Sequence, residues 1–262
     1  TMLIDGGPYS PTFDTGERII VPFLKAKGNP RIDTIVVTHP HTDHYGGLPA
    51  VLDAVEVGEV INSGVTPGSP YYQYWRETIV ENDVPVRSVS TGDSLIGAGK
   101  VRGVFLHPSP SFTGNPPPYG SNNASVVLRL IYKEFSILLT GDVEEEAEHW
   151  IVAHIPDLRS TVIKAPHHGS RTSSIPEFVE AVRPEAVLIS VGYRNKFRHP
   201  SPKVVERYRA SGVTVYRTDY KGAVILRSDG KTFRVESMVN TVPQKTWLTP
   251  AEALGSIRLT GF

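Results

Sequence analysis

Three imidazoles and a carboxylate fall within six residues at His39-Pro40-His41-Thr42-Asp43-His44, the pattern His-x-His-x-Asp-His. Imidazole nitrogen and carboxylate oxygen suit zinc, manganese or iron, and a chain without cysteine has no thiolate to draw in softer metals. Pro40 stiffens the turn, so His39 and His41 are expected to face one side and Asp43 and His44 the other. One short loop would then serve two adjacent cations. Two later stretches hold related chemistry: Gly141-Asp142, and Pro166-His167-His168-Gly169-Ser170.

The elements that must position these groups are readable around them. Ile32-Asp33-Thr34-Ile35-Val36-Val37 is a β-branched apolar run that predicts a buried strand leading straight into the histidine loop. Gly46-Gly47 then open a short helix, Leu48 to Val55. Val126–Tyr132 and Phe135–Thr140 predict a hairpin that delivers Asp142, and a helix follows from Val143 to His154. Glu144-Glu145-Glu146 sit in its first turn, where negative charge is favourable, and His149 and His154 read as surface residues. Thr161–Ala165 repeats the layout of strand then histidines, with Ser174 as the expected cap of a helix from Ile175 to Val182.

Shorter pieces complete the frame. Strands are expected at Thr1–Ile4, Glu59–Asn62, Val84–Val86, Ser94–Ile96, Val101–Leu106, Ala186–Val191, Val213–Tyr216, Gly222–Leu226 and Thr232–Val235. Pro70–Asn82 reads as a helix whose stripe Tyr71, Tyr74, Trp75 and Thr78 is expected in the core. Asp5, before Gly6-Gly7, either forms a turn or supports the histidine loop by a hydrogen bond. His107 to Asn123 carries five prolines and two glycines and is expected to have no regular structure; it is either a rim beside the site or a surface loop.

Net charge is zero, so any contact with nucleic acid has to come from a local patch. One such patch exists. Between Arg194 and Arg209 stand six basic side chains (Arg194, Lys196, Arg198, Lys203, Arg207, Arg209) against one acid, Glu206. Tyr193 and Phe197 interleave stacking faces with that charge, as a single-strand binder requires; a solvated basic helix is the plainer alternative. Ser170, Arg171 and Thr172, at a turn freed by Gly169, are placed to donate hydrogen bonds to phosphate. No apolar stretch approaches the roughly 18 residues of a membrane span.

These motifs, in this order, resemble the metallo-β-lactamase superfamily, and within it the extracytoplasmic lactamase-like domains of the ComEC family of DNA-uptake proteins. Leu139-Thr-Gly-Asp142, Lys164-Ala-Pro-His167-His168-Gly-Ser170 and Ser190-Val-Gly192…His199-Pro-Ser-Pro202 carry the narrower likeness. The resemblance implies a four-layer αβ/βα sandwich of the α/β class over residues 1–237, lacking its opening strand, with 238–262 as a tail. It implies one or two divalent cations, manganese or zinc, held by His39, His41, Asp43, His44, Asp142 and His167. Asp142 would bridge the two metals, and His167 is preferred to His168.

A third first-site histidine usual in the superfamily is missing. Asn122 or Asn123 stands in its place, which favours manganese or partial occupancy. The implied activity is DNA phosphodiester hydrolysis, degrading the strand that is not imported. Asp43 would orient water, His199 would protonate the leaving oxygen, and Lys164 and Arg171 would clamp phosphate. Arg194, Asn195, Lys196, Arg198 and Ser170 would contact the strand. The implied setting is the outer face of a bacterial membrane, beside the transmembrane channel of the same full-length protein, with no organic cofactor. Other readings remain: a hydrolase of a small phosphodiester, thioester or lactam, or an inactive module that guides DNA.

Overall fold

β-branched runs bounded by Gly, Pro and Asp become strands, because side chains stiff at χ1 pack well on a pleated surface. A computed structural model describes residues 1–239 apart from 30 and 96–98. β1 (Met2–Ile4) is followed by a small ribbon, β2 (Tyr9–Ser10) and β3 (Phe13–Asp14), a π-helical turn Gly16–Ile20 and α1 (Val21–Ala26). β4 (Arg31–Val36) leads through α2 (Thr42–Tyr45) and α3 (Leu48–Ala54) to β5 (Glu56–Asn62), and α4 (Pro70–Glu81) connects to β6 (Val86–Ser88). These four longer strands form a parallel sheet in the order β1-β4-β5-β6.

A second set follows: β7 (Ser94–Leu95), β8 (Arg102–His107), α5 (Gly120–Asn123), β9 (Val127–Tyr132) and β10 (Phe135–Leu139). α6 (Glu145–His154), β11 (Val162–Lys164), α7 (Pro176–Val182), β12 (Ala186–Ile189), α8 (Pro202–Ala210), β13 (Thr214–Arg217) and α9 (Thr218–Lys221) come next. A ribbon of β14 (Val224–Ser228) and β15 (Phe233–Ser237) closes the described chain. The second sheet has seven strands in the order β13-β12-β11-β10-β9-β8-β7, parallel from β13 to β10 and antiparallel beyond.

Three apolar layers hold these elements together. Ile32, Ile35 and Val60 pack with Leu48, Val51, Trp75 and Ile79, so α3 and α4 cover the outside of the first sheet. Val36 and Ile61 meet Phe105, Val126 and Leu128 between the sheets. Ile163 and Val187 pack with Ile151, Phe178 and Tyr208, which puts α6, α7 and α8 on the outside of the second sheet. Helix, sheet, sheet, helix: this is the expected αβ/βα sandwich.

Several local expectations change. The segment after His107 is not wholly irregular: Pro110–Phe112 makes a 3₁₀ turn and α5 closes it. Ser174 does not cap α7. The helix starts at Pro176, and the buried Glu148 carboxylate of α6 accepts the Ser174 and Ile175 N–H groups at 2.6 and 2.7 Å. Of the stripe expected in the core on α4, Trp75 and Thr78 are buried, Tyr71 is half-buried and Tyr74 is exposed; Tyr72, outside that stripe, is buried. The short helix α9 had no counterpart among the expected elements. From residue 240 onward the expected tail lies outside the described residues.

Candidate metal centre

Strand ends bring the chemistry to one edge of the sandwich. β4 of the first sheet runs into His39–His44, while β10, β11 and β12 of the second run into Asp142, His167-His168 and the 192–199 loop. The two sheets are tied there, because the Val126 N–H donates to Thr38 O at 2.8 Å. Gly141 adopts φ +53°, and a methyl group on it would stand 2.7 Å from Ser125 Cβ and 3.0 Å from Thr38 Cβ. Only glycine permits that turn and that closeness.

His44 and Asp142 are the hub. His44 Nδ1 donates to Asp5 Oδ2 at 2.7 Å, and its Nε2 lies 3.1 Å from Asp142 Oδ2. Asp5 also accepts the Thr38 N–H and Oγ–H at 2.8 and 2.9 Å, so of its two readings the structure bears out support of the loop. Burial disfavours a charged His44, yet Asp5 and Asp142 outweigh it and lift the ring to about 10. Burial opposes the charged Asp142 as well, but Lys164 and His44 hold its carboxyl well below the usual range. This pocket is built to hold positive charge.

His39 completes the buried set. Its ring centroid is 4.1 Å from that of His44, and burial first, then the neighbouring imidazoles, keeps it neutral with a lone pair to offer. His41 stands at the exposed rim, its Nδ1 3.0 Å from His39 Nε2. His39 thus meets His41, and His44 Nε2 stands 3.9 Å from Asp43 Oδ2, while His44 also belongs to the buried group with His39. Ligand atoms of His39, His44 and Asp142 all lie within 4.8 Å of one another, and those of Asp43, His44 and His168 do likewise. The donor set, imidazole and carboxylate without sulfur, fits one or two divalent cations.

His167 and His168 both occupy left-handed backbone, at φ 45° and 53°. That turn directs His168 into the cluster, with Nε2 3.3 Å from Asp142 Oδ2 and from His44 Nε2, while its Nδ1 donates to Ser190 O at 2.7 Å. His167 is turned aside to Glu144, at 3.1 Å. Glu144 accepts the Thr172 hydroxyl too, at 2.7 Å, so it does more than sit in a helix's first turn. No sequence pattern marked it, since its partners lie 23 and 28 residues away.

Other candidates take different places. Asn123 is buried, and its carbonyl oxygen caps α6 by accepting Glu144 and Ala147 N–H at 2.9 and 3.2 Å, so it is not free for a metal. Among the described residues, Asn122 Oδ1 is buried without a partner. Lys164 does not reach outward for phosphate: its ammonium donates to Gly141 O at 2.8 Å and lies 3.4 Å from Asp142 Oδ1. Ser170 is buried with its hydroxyl 2.9 Å from that of Thr172, and Arg171 is exposed.

Asn195 braces its own loop, donating to His199 O at 2.7 Å and accepting His199 N–H at 2.9 Å. The His199 ring is 5.6 Å from that of His167 and stacks on Phe197 at 5.8 Å; burial, then His167 and His168, lowers its pKa. Arg194, Lys196 and Arg198 are exposed, with Arg194 over Tyr193 and Lys196 over Phe197. Arg207 leaves the basic strip, because its guanidinium donates to Ser174 O.

Residues 1–193 match the family model described as the metallo-beta-lactamase superfamily. The chain belongs to the metallo-β-lactamase superfamily. This lactamase-fold chain is 31% identical over 216 residues to ComE operon protein 3 of Bacillus subtilis (strain 168), covering 82% of the chain and 27% of that protein. It is 34% identical over 218 residues to competence protein ComA of Neisseria gonorrhoeae, covering 81% and 28%. The chain thus spans little more than a quarter of the length of these curated relatives. Among solved structures, the metallo-β-lactamase fold protein YhfI of Bacillus subtilis aligns with a TM-score of 0.46 at 10% identity, over 82% of this chain and 83% of that one.

Proposed function

We propose that the chain is a metal-dependent phosphodiesterase acting on DNA: the lactamase-like part of a longer DNA-uptake protein, degrading the strand that is not imported. The observation that carries this reading is an adjacency. Asp142 lies between His44 and His168, and beside them stands an exposed loop whose cations alternate with the open rings of Tyr193 and Phe197. A hydrolase of small substrates has no use for such a strip. A relative named competence protein ComA supports the uptake setting. In that setting the partners are single-stranded DNA and the transmembrane channel of the same protein, at the extracytoplasmic face of the membrane.

Manganese or zinc would be held by residues drawn from His39, His41, Asp43, His44, Asp142 and His168, with the Asn122 carbonyl as a further candidate donor. Such cations supply acidified water and offset charge on the non-bridging phosphate oxygens. The chain's own residues do the rest. Asp43, exposed at the rim, orients water; Asp5 fixes the His44 ring; Lys164 keeps Asp142 ionised. His199 supplies the proton to the departing sugar oxygen, and Arg171, Arg194, Lys196 and Arg198 draw in the backbone.

The test incubates purified protein with labelled single- and double-stranded DNA in manganese, in zinc and in EDTA. Single strands are cut with metal and spared in EDTA. Protein that binds DNA and cuts none with any metal refutes the nuclease reading, and hydrolysis of a small phosphodiester but no DNA points to the small-substrate hydrolase.

A further inference from the structure

Against the histidine loop stands a second aromatic face, built from elements other than the one that carries Tyr193 and Phe197. Tyr9 stacks on Tyr71 at 4.7 Å and 12°, and Tyr71 meets Tyr74 at 5.7 Å. One face of the Tyr9 ring is covered by that stack, and the residue as a whole is 39% exposed; Tyr74 is 46% exposed. The Tyr9 ring has no other aromatic partner among the described residues.

The face is fixed to the metal loop. The Tyr71 hydroxyl donates to Gly46 O at 2.7 Å. A methyl group on Gly46 would stand 2.5 Å from the Tyr9 nitrogen, so β2 lies directly on the residue two after His44. Asp5, which orients His44, is only four residues before Tyr9. A partly exposed ring stack set on the histidine loop has the form of a base-stacking platform, because every base offers a π-face and loses little by leaving water.

We propose that Tyr9, backed by Tyr71 and Tyr74, is a second nucleobase subsite. It would take an unpaired base beside the histidine loop, at a stacking face separate from Tyr193 and Phe197, so that a single strand at the metal centre would meet both. This rests on the DNA reading above.

The test measures affinity for fluorescent oligothymidylates of about 12 nucleotides, in manganese buffer with phosphorothioate linkages to suppress cleavage. Tyr9→Ala weakens binding by about 5- to 100-fold, while Tyr9→Phe stays within about twofold of the unaltered protein. A single abasic residue moved along the strand locates the base involved. At one position it weakens the unaltered protein by the same factor and costs Tyr9→Ala nothing further. Equal affinity of Tyr9→Ala and the unaltered protein overturns the subsite. So does a loss that is the same at every abasic position, which would make Tyr9 only a brace for the metal loop. An unaltered protein that binds no single strand removes the DNA reading and the subsite together. Strands bound with this coupling but never cut, even with ordinary phosphodiester linkages, support the subsite and sink only the nuclease.

Discussion

At the scale of single residues, the central fact is a division of labour between two adjacent histidines. His168 turns Nε2 toward Asp142 and His44, while His167 is held by Glu144. Partners of ligands alone are worth about 10- to 100-fold in metal affinity, and a ligand is worth more. His168→Ala should therefore weaken divalent-cation binding by more than about 100-fold and His167→Ala by less, as titration calorimetry would measure; the reverse order would return His167 to the site. The pattern His-x-His-x-Asp-His marked a loop whose imidazole and carboxylate atoms do gather within ligand reach of one another, because donor type follows from side-chain chemistry alone. Which of two neighbouring imidazoles faces inward depends on two successive left-handed residues, and nothing in Pro-His-His-Gly-Ser announces them. Lys164 misled for a similar reason. A basic residue at a strand end looks free for phosphate until Asp142 is seen beside it.

At the scale of elements, periodicity located the site-bearing strands and the helices between them, since buried β-branched runs and capped helices leave local marks. Boundaries moved where a distant group intervened, as when Glu148 took the N–H groups of Ser174 and Ile175. His107 at the end of β8 is another buried polar link invisible in sequence, donating from Nε2 to Asn123 O at 2.8 Å and so supporting the residue that caps α6. Burial lowers its pKa from 6.5 to about 4. Between those values the unfolded chain takes up a proton that the fold refuses, so stability present above pH 6.5 is lost as pH falls toward 4. By pH 5 the loss relative to neutral pH is about 2 kcal/mol. His107→Gln should shrink the difference in unfolding free energy between neutral pH and pH 5 by about that amount, measured by urea titration at each pH. An unchanged acid limb would mean that His107 is not held neutral.

At the scale of the whole molecule, a chain of zero net charge holds a local group of exposed cations, Arg194, Lys196 and Arg198, in the loop where the proposed strand would pass. Single-strand affinity should fall with salt, and each of Arg194→Ala, Lys196→Ala and Arg198→Ala should reduce the slope of log affinity against log salt by about 0.7. A slope that none of the three changes would show that the loop is a solvated surface. The sandwich itself was legible through the motifs, whereas the joining of its two sheets at Thr38 and Val126 was not, being a contact across 88 residues. That joint is what brings Asp142 to His44. The most direct measurement of the account is therefore cleavage of labelled single-stranded DNA by metal-stripped protein as manganese is restored, with Asp142→Ala alongside. Activity should return with manganese in the unaltered protein and stay absent in Asp142→Ala. Cleavage that persists without metal, or an Asp142→Ala protein that cuts at the normal rate, would contradict it.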